Sequence, residues 1–241
     1  MERSQVHFGH TPIDYAIQRG VRQKTVAVRV DPIEGVQVRA PRGTPVEKLD
    51  QIVHRKAKWI IDRRRRQEDI PPRPTPREFV SGETFLYLGR QYRLKLARKR
   101  AAETGEVRLV GGHLVVSVAR VGLCGEGVRE SLVSWYRARA AARLPERAKF
   151  WAAATGLEPA DVLIRDQRKR WGSADVRGIV RFNWRVIQAP MRCVDYVVAH
   201  ELIHLRHPNH TRGFWSDLGQ VMPDYEGQRE ALRRLGPMMI W

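Results

Sequence analysis

The chain has 241 residues, of which 42% are hydrophobic and 29% charged, enough to bury a substantial core in one or two domains that fold in water. No run approaches the roughly 20 apolar residues that span a bilayer, and the opening MERSQVHFGH lacks a basic start followed by an apolar stretch, so no membrane partner and a cytoplasmic location are expected. The formal net charge of +18 attracts polyanions and makes nucleic acid a candidate partner through a basic surface, although charge alone confers no specificity.

In chain order, residues 1 to 20 show no clear period. Val26, Val28 and Val30 alternate with polar positions, Asp31 to Gly35 supplies turn chemistry, and Val36 and Val38 resume the alternation, which predicts a β-hairpin. Pro41-Arg42-Gly43 ends it. A helix is predicted from Val46 to about Arg66, with Leu49, Ile52, Val53, Ala57, Ile60 and Ile61 at helical spacing. Its basic end, Asp62 to Arg66, suits the helix dipole, and a solvated helix end is the favoured reading. A phosphate-binding patch with Arg55, Lys56 and Lys58 is the other, and the segment is read as having no aromatic side chains interleaved for base stacking.

Ile70 to Pro76 reads as an extended connector. Strands are predicted over Phe85 to Leu88 and Tyr92 to Leu96, a basic loop over 97 to 105, and a hairpin from Val107 to Val118 around Gly111-Gly112. A long helix follows from about Val128 to Thr155, which Pro145 could kink. Val180, Phe182, Trp184 and Val186 alternate with polar residues and predict a half-buried strand that pairs with Arg170-Trp171-Gly172 across the turn at Ala174 to Gly178. Two further helices are expected, over Thr211 to Met222 and after Pro223-Asp224. No internal repeat is evident. Cys124 and Cys193 suit a reducing compartment and lack the spacing of a zinc ligand pair.

The most informative stretch is Val197 to His210, VVAHELIHLRHPNH. On a helix, residues four apart lie one above the other, so His200 and His204 of the HExxH pattern can aim two imidazole nitrogens at one ion, with Glu201 beside them to take a proton from water. Catalytic zinc keeps three protein ligands. His207 continues the same face, and three ligands along one straight helix cannot wrap a tetrahedral ion. Pro208-Asn209 offers a bend that lets His210 fold back instead. The apolar run before the motif argues for a buried helix, where Glu and His without a metal or hydrogen-bond partners would be costly. The expected ligands of Zn2+ are therefore His200, His204 and His210, with Glu201 as catalytic base.

Lys169-Arg170-Trp171-Gly172-Ser173, IVRFNWRVI from Ile179 to Ile187, and Tyr196-Val197-Val198 leading into HELIHLRHPNHTRGFW resemble the YgjP-like metallopeptidase family, related to the WLM and SprT-like zinc peptidases. Val36 to Gly43 and Tyr87 to Tyr92 extend the resemblance over most of the chain. One departure is visible, because members often carry Cys after the RWGS element where this chain has Ala174. The predicted elements give a β-rich region holding one helix over 1–120, and with the resemblance an α+β fold is expected whose second part, over 121–241, is a compact zincin-like catalytic region with a small sheet. The resemblance also implies zinc-dependent hydrolysis of peptide or protein substrates. Substrate contacts are expected from Arg170, Trp171 and Gly172 beside the cleft, by strand addition, and Tyr225 is a candidate phenol for oxyanion stabilisation. The competing readings are a nucleic-acid-associated protein with a zinc site, and a peptidase that acts on DNA-bound proteins.

Overall fold

The computed structural model describes residues 2–21, 23–31, 34–68, 75–98, 105–119, 125–167 and 170–241, with the side chains of 66–68 left aside. Most of the proline-rich connector, most of the basic segment at 97–105, part of the Asp31–Gly35 turn, Cys124 and Lys169 lie outside the described residues. The architecture is α+β, and it divides into two compact units, Met1–Pro71 and Pro72–Trp241. The division falls well before the boundary expected at 120.

In the first unit, β1 (Glu2–Phe8), β2 (Thr11–Gly20), β3 (Ala27–Asp31) and β4 (Gly35–Pro41) form a sheet in the order β1-β2-β4-β3. The β3–β4 hairpin is the predicted one, and β2 joins β4 in parallel with Tyr15 opposite Val36. Alternation buries Ile13, Tyr15 and Ile17 from β2 and Val36, Val38 and Ala40 from β4. The stretch without a clear period, read from sequence as partly extended, thus forms two strands over its described residues 2 to 20. Against this sheet pack Leu49 and Val53 of α1 (Val46–Arg55) and Ala57 and Ile60 of α2 (Ala57–Glu68).

The single helix predicted over 46 to 66 is therefore two, interrupted at Lys56 (φ −95°, ψ 5°). Buried positions four apart drift about 40° around a straight helix at each step. The interruption returns the second apolar stripe to the sheet. On the opposite side of α2, Trp59 is 47% exposed beside Lys56, so an aromatic side chain does stand within this basic segment.

The second unit begins with a sheet of the same strand order. β5 (Thr84–Tyr87), β6 (Arg90–Arg98), β7 (Val107–Val110) and β8 (His113–Val118) run β5-β6-β8-β7, again with two hairpins joined by parallel central strands. The Gly111-Gly112 turn has positive φ at both residues, as a two-residue hairpin loop requires. The other loop, Leu88-Gly89, places even a leucine at φ 50°. Its amides donate to Ile187 O (2.9 Å) and Gln188 O (3.0 Å), which holds the turn against the residues that precede the helix at Met191–Ile203.

Next comes α3 (Glu126–Thr155), which runs unbroken through Pro145 and ends at Gly156 in the left-handed conformation. Its stripe Leu132, Trp135, Tyr136, Ala140, Leu144 and Ala148 packs into the core between the sheet and α4 (Met191–Ile203). A small sheet, β10-β11-β9, is built from β9 (Asp161–Arg165), β10 (Gly172–Ala174) and β11 (Ile179–Asn183), and Gly172 pairs with Phe182 as the turn chemistry predicts. The predicted strand through Val186 ends earlier. Trp184 to Gln188 form a 3-10 turn, started by the Asn183 side chain accepting from Arg185 N, and both Trp184 and Val186 are buried within it. Finally α5 (Arg212–Val221) and α6 (Tyr225–Leu235) cover α4, and the terminal Trp241 packs on Phe85, Tyr136 and Trp184 while donating to Gln188 Oε1 (2.9 Å). Among the described residues, no helix is long and apolar enough to cross a membrane.

Candidate metal centre

The apolar run Cys193 to Ala199 buries α4 in the core, so its remaining face sets the chemistry of a cleft of about 1090 Å³. The helix is fixed at its first turns by Asp195, whose carboxylate accepts from Arg147 Nε on α3 at 2.6 Å. His200 and His204 project one turn apart, and α4 ends at Ile203 with His204 as its cap. The chain then turns through Pro208-Asn209, and His210 folds back. Its Nε2 lies 3.0 Å from His200 Nε2, and His204 Nε2 lies 3.2 Å from the same atom. One ring nitrogen from each of the three imidazoles falls within 4.8 Å of the others.

The surroundings orient each ring. His204 Nδ1 lies 2.9 Å from His207 O, an arrangement that protonates Nδ1 and turns the Nε2 lone pair toward the other two histidines. His207 itself faces away. Its Nε2 lies 2.9 Å from Asp217 Oδ2 on α5, and Arg206 donates to the same oxygen. His207 thus supports the bend and stays out of the triad. Phe214 floors the site, with its ring 4.6 to 4.8 Å from all three imidazole rings.

Burial holds His200 far below the usual imidazole range, at about 3, with the neighbouring His204, His210 and Arg229 adding to the effect. Burial lowers His210 as well. Neutral imidazoles with converging lone pairs repel one another unless a cation lies between them, and three nitrogen donors of this kind suit a tetrahedral divalent ion with one open position. The His200 Nδ1 atom is buried with no hydrogen-bond partner among the described residues.

Glu201 is only 7% exposed, and burial pushes its carboxyl up to about 8 against the opposing pull of Arg170. It lies against the backbone of β10. A Cβ at Gly172 would stand 2.6 Å from Glu201 Cγ and 2.7 Å from Oε1, so only glycine leaves room there. The strand β10 pairs on one side with β11, and residues 170 to 176 line the cleft.

The profile of the YgjP-like, metallopeptidase domain matches residues 24–235, nearly the whole chain. The chain belongs to the YgjP-like metallopeptidase family. It is accordingly a hydrolase of peptide bonds, and the match takes in residues 24–71 of the first unit and nearly all of the second. Solved structures similar to it include the metallopeptidase zymogen of Pyrococcus abyssi abylysin, with 21% identity over 38% of this chain and 90% of that one (TM-score 0.35). Another is the metallopeptidase zymogen of Methanocaldococcus jannaschii jannalysin, with 18% identity over 39% of this chain and 96% of that one (TM-score 0.35). No curated protein sequence matches the YgjP-like chain.

Of the residues singled out from sequence, His200, Glu201, His204, His210, Arg170, Trp171 and Gly172 all line the one cleft. Tyr225 does not. Its ring stacks on Trp215 (5.4 Å, 20°), which in turn stacks on His210 (5.4 Å, 25°), so Tyr225 belongs to the wall behind the third histidine. Among the described residues, the phenol that lines the cleft is Tyr196, one turn before His200. Burial raises it to about 12, which keeps it a neutral donor, and its hydroxyl has no partner among the described residues. The signal was present: Tyr196, His200 and His204 stand at i, i+4 and i+8.

Proposed function

We propose that this metallopeptidase is a zinc enzyme in which His200, His204 and His210 hold the ion and Glu201 is the general base. The observation that carries the reading is the convergence of three Nε2 atoms beside a buried carboxyl packed on Gly172. When bound there, zinc supplies Lewis-acid polarisation of the scissile carbonyl and acidification of water. Glu201 takes the water proton on a carboxylate oxygen and returns it to the leaving amine nitrogen, a role suited to a buried carboxyl whose surroundings raise its affinity for a proton. The Tyr196 hydroxyl donates to the carbonyl oxygen as negative charge develops on it. Arg170 to Ala174 bind an extended peptide along β10, whose pairing to β11 leaves one strand edge for a substrate.

Elemental analysis and peptide cleavage on the same preparations test this. About one zinc per chain is expected in the wild type, in Glu201→Gln and in Tyr196→Phe, and much less in His210→Ala. Cleavage should fall by two to four orders of magnitude in Glu201→Gln and by one to two in Tyr196→Phe. A wild-type chain that stays empty when offered zinc, or a Glu201→Gln chain that still cleaves, would overturn the reading.

A further inference from the structure

Among the described residues, those that line the cleft all belong to the second unit, and the first unit carries a surface that the peptidase chemistry leaves unused. Helix α2 spends its apolar face on the core of its own unit through Ala57 and Ile60, with Ile61 packed beside them. Its other face presents Lys58, Trp59, Asp62, Arg63 and Arg65 to solvent, just after the exposed Arg55 and Lys56. Trp59 is 47% exposed, and Lys56 Nζ stands 5.6 Å from its ring centroid. Arg63 follows Trp59 by four residues, about 6 Å further along the same helix face. Among the described residues, Arg55, Lys56, Lys58, Arg63 and Arg65 have no ion-pair partner. Over residues 1–71 the sequence carries 15 Lys and Arg against nine Asp and Glu.

We propose that this face of α2 binds single-stranded nucleic acid, with a base stacked on Trp59 and backbone phosphates on Lys56 and Arg63. An exposed indole with the Lys56 ammonium over one face of its ring and Arg63 one helical turn further on joins the two elements by which such strands are held, an aromatic surface and cations beside it. Duplex would use the charges and leave the indole idle. A membrane surface demands an apolar face to insert, and that of α2 is already buried against β-strands, with one ring left outside. Acidic protein would engage the cations and gain nothing specific from the half-exposed ring.

The test measures fluorescence anisotropy of labelled oligothymidylate, and of a duplex of equal length, with the full zinc-loaded chain from 50 to 200 mM salt. Single strand should bind more tightly than duplex. Trp59→Leu should weaken it by about tenfold while Trp59→Phe keeps most of the affinity, a contrast that a purely electrostatic surface cannot produce. The pair Lys56→Gln, Arg63→Gln should lower the slope of log affinity against log salt by roughly 1.4, the value for two phosphate contacts on a single strand. Melting curves check that each variant is folded, and the Gln pair stands as an independent arm if Trp59→Leu is not. Equal binding by Trp59→Leu and wild type, equal binding of duplex and single strand, or binding to phosphatidylserine vesicles but not to the oligonucleotide would each overturn the proposal. So would displacement of the oligonucleotide by polyglutamate at matched charge.

Discussion

At the level of single residues, the arrangement turns on how little room Glu201 is given. Because a Cβ at Gly172 would stand inside 2.8 Å of three Glu201 atoms, Gly172→Ala has to push the carboxyl off β10. The expected outcome is at least a tenfold loss in kcat with zinc affinity nearly unchanged, since a displacement of this size misplaces a base without touching the histidines. Normal kcat in zinc-loaded Gly172→Ala would show that the close packing is incidental. Burial of Glu201 also has a cost in stability, with a definite sign. Its folded pKa of about 8 exceeds the ordinary 4.5, so the folded chain holds the proton longer and stability is lost as pH rises from about 4.5 to 8. His200 acts in the opposite sense: held near 3 when folded, it adds stability as pH rises from about 3 to 6.5. Comparing metal-free Glu201→Gln with metal-free wild type isolates the carboxyl. The variant should be more stable by on the order of 3 kcal/mol at pH 8.5, and the two should converge near pH 4. Urea midpoints at the two pH values measure this, and a difference independent of pH would sink it.

At the level of elements, the Leu88-Gly89 turn is what seats the active-site helix, and glycine is demanded there twice. Gly89 has φ 78°, and its Cβ would fall 2.7 Å from Pro190 Cγ and 2.9 Å from Pro190 Cα at the start of α4. Gly111 shares the positive φ but has open space around it. Gly111→Ala should therefore cost about 1 kcal/mol, the backbone penalty alone, and Gly89→Ala about 2 to 3 kcal/mol as the clash is added. Denaturant midpoints give the difference, and equal losses would mean that the approach to Pro190 relaxes freely. What could be read from the sequence divides along the same line. The hairpins, the 30-residue helix and the His200-His204-His210 bend follow from local alternation, turn residues and helical spacing, which act within a few residues. The break at Lys56, the 3-10 turn at Trp184 and the place of Tyr225 follow from tertiary packing, which no local period encodes. The repeated sheet order is likewise not written in the sequence, because strand order is set by which edges meet and leaves little trace there.

At the level of the whole chain, the two-unit division and the boundary expected at 120 make opposite demands on a fragment. Cutting at 120 removes β5 to β8 from α3, although Tyr136 donates to Leu86 O (2.7 Å) and Trp135 packs on Tyr87 (4.9 Å). It also removes Leu94, Leu96, Leu114 and Val116 from the core that α3 and α4 share, and with them the Leu88-Gly89 turn. Cutting at 72 removes none of these, because the buried residues of the second unit form one cluster that includes no residue of the first. A fragment of residues 72–241 should therefore melt cooperatively and bind about one zinc per chain with the affinity of the full chain. The fragment 121–241, which keeps His200, His204, His210 and Glu201, should show no cooperative melt and weak zinc binding, because its site is positioned by a core it no longer has. Calorimetry together with zinc titration separates the two. A cooperative, zinc-binding 121–241 would place the structural boundary at the hairpin end after all and leave β5 to β8 as an appendage of the first unit.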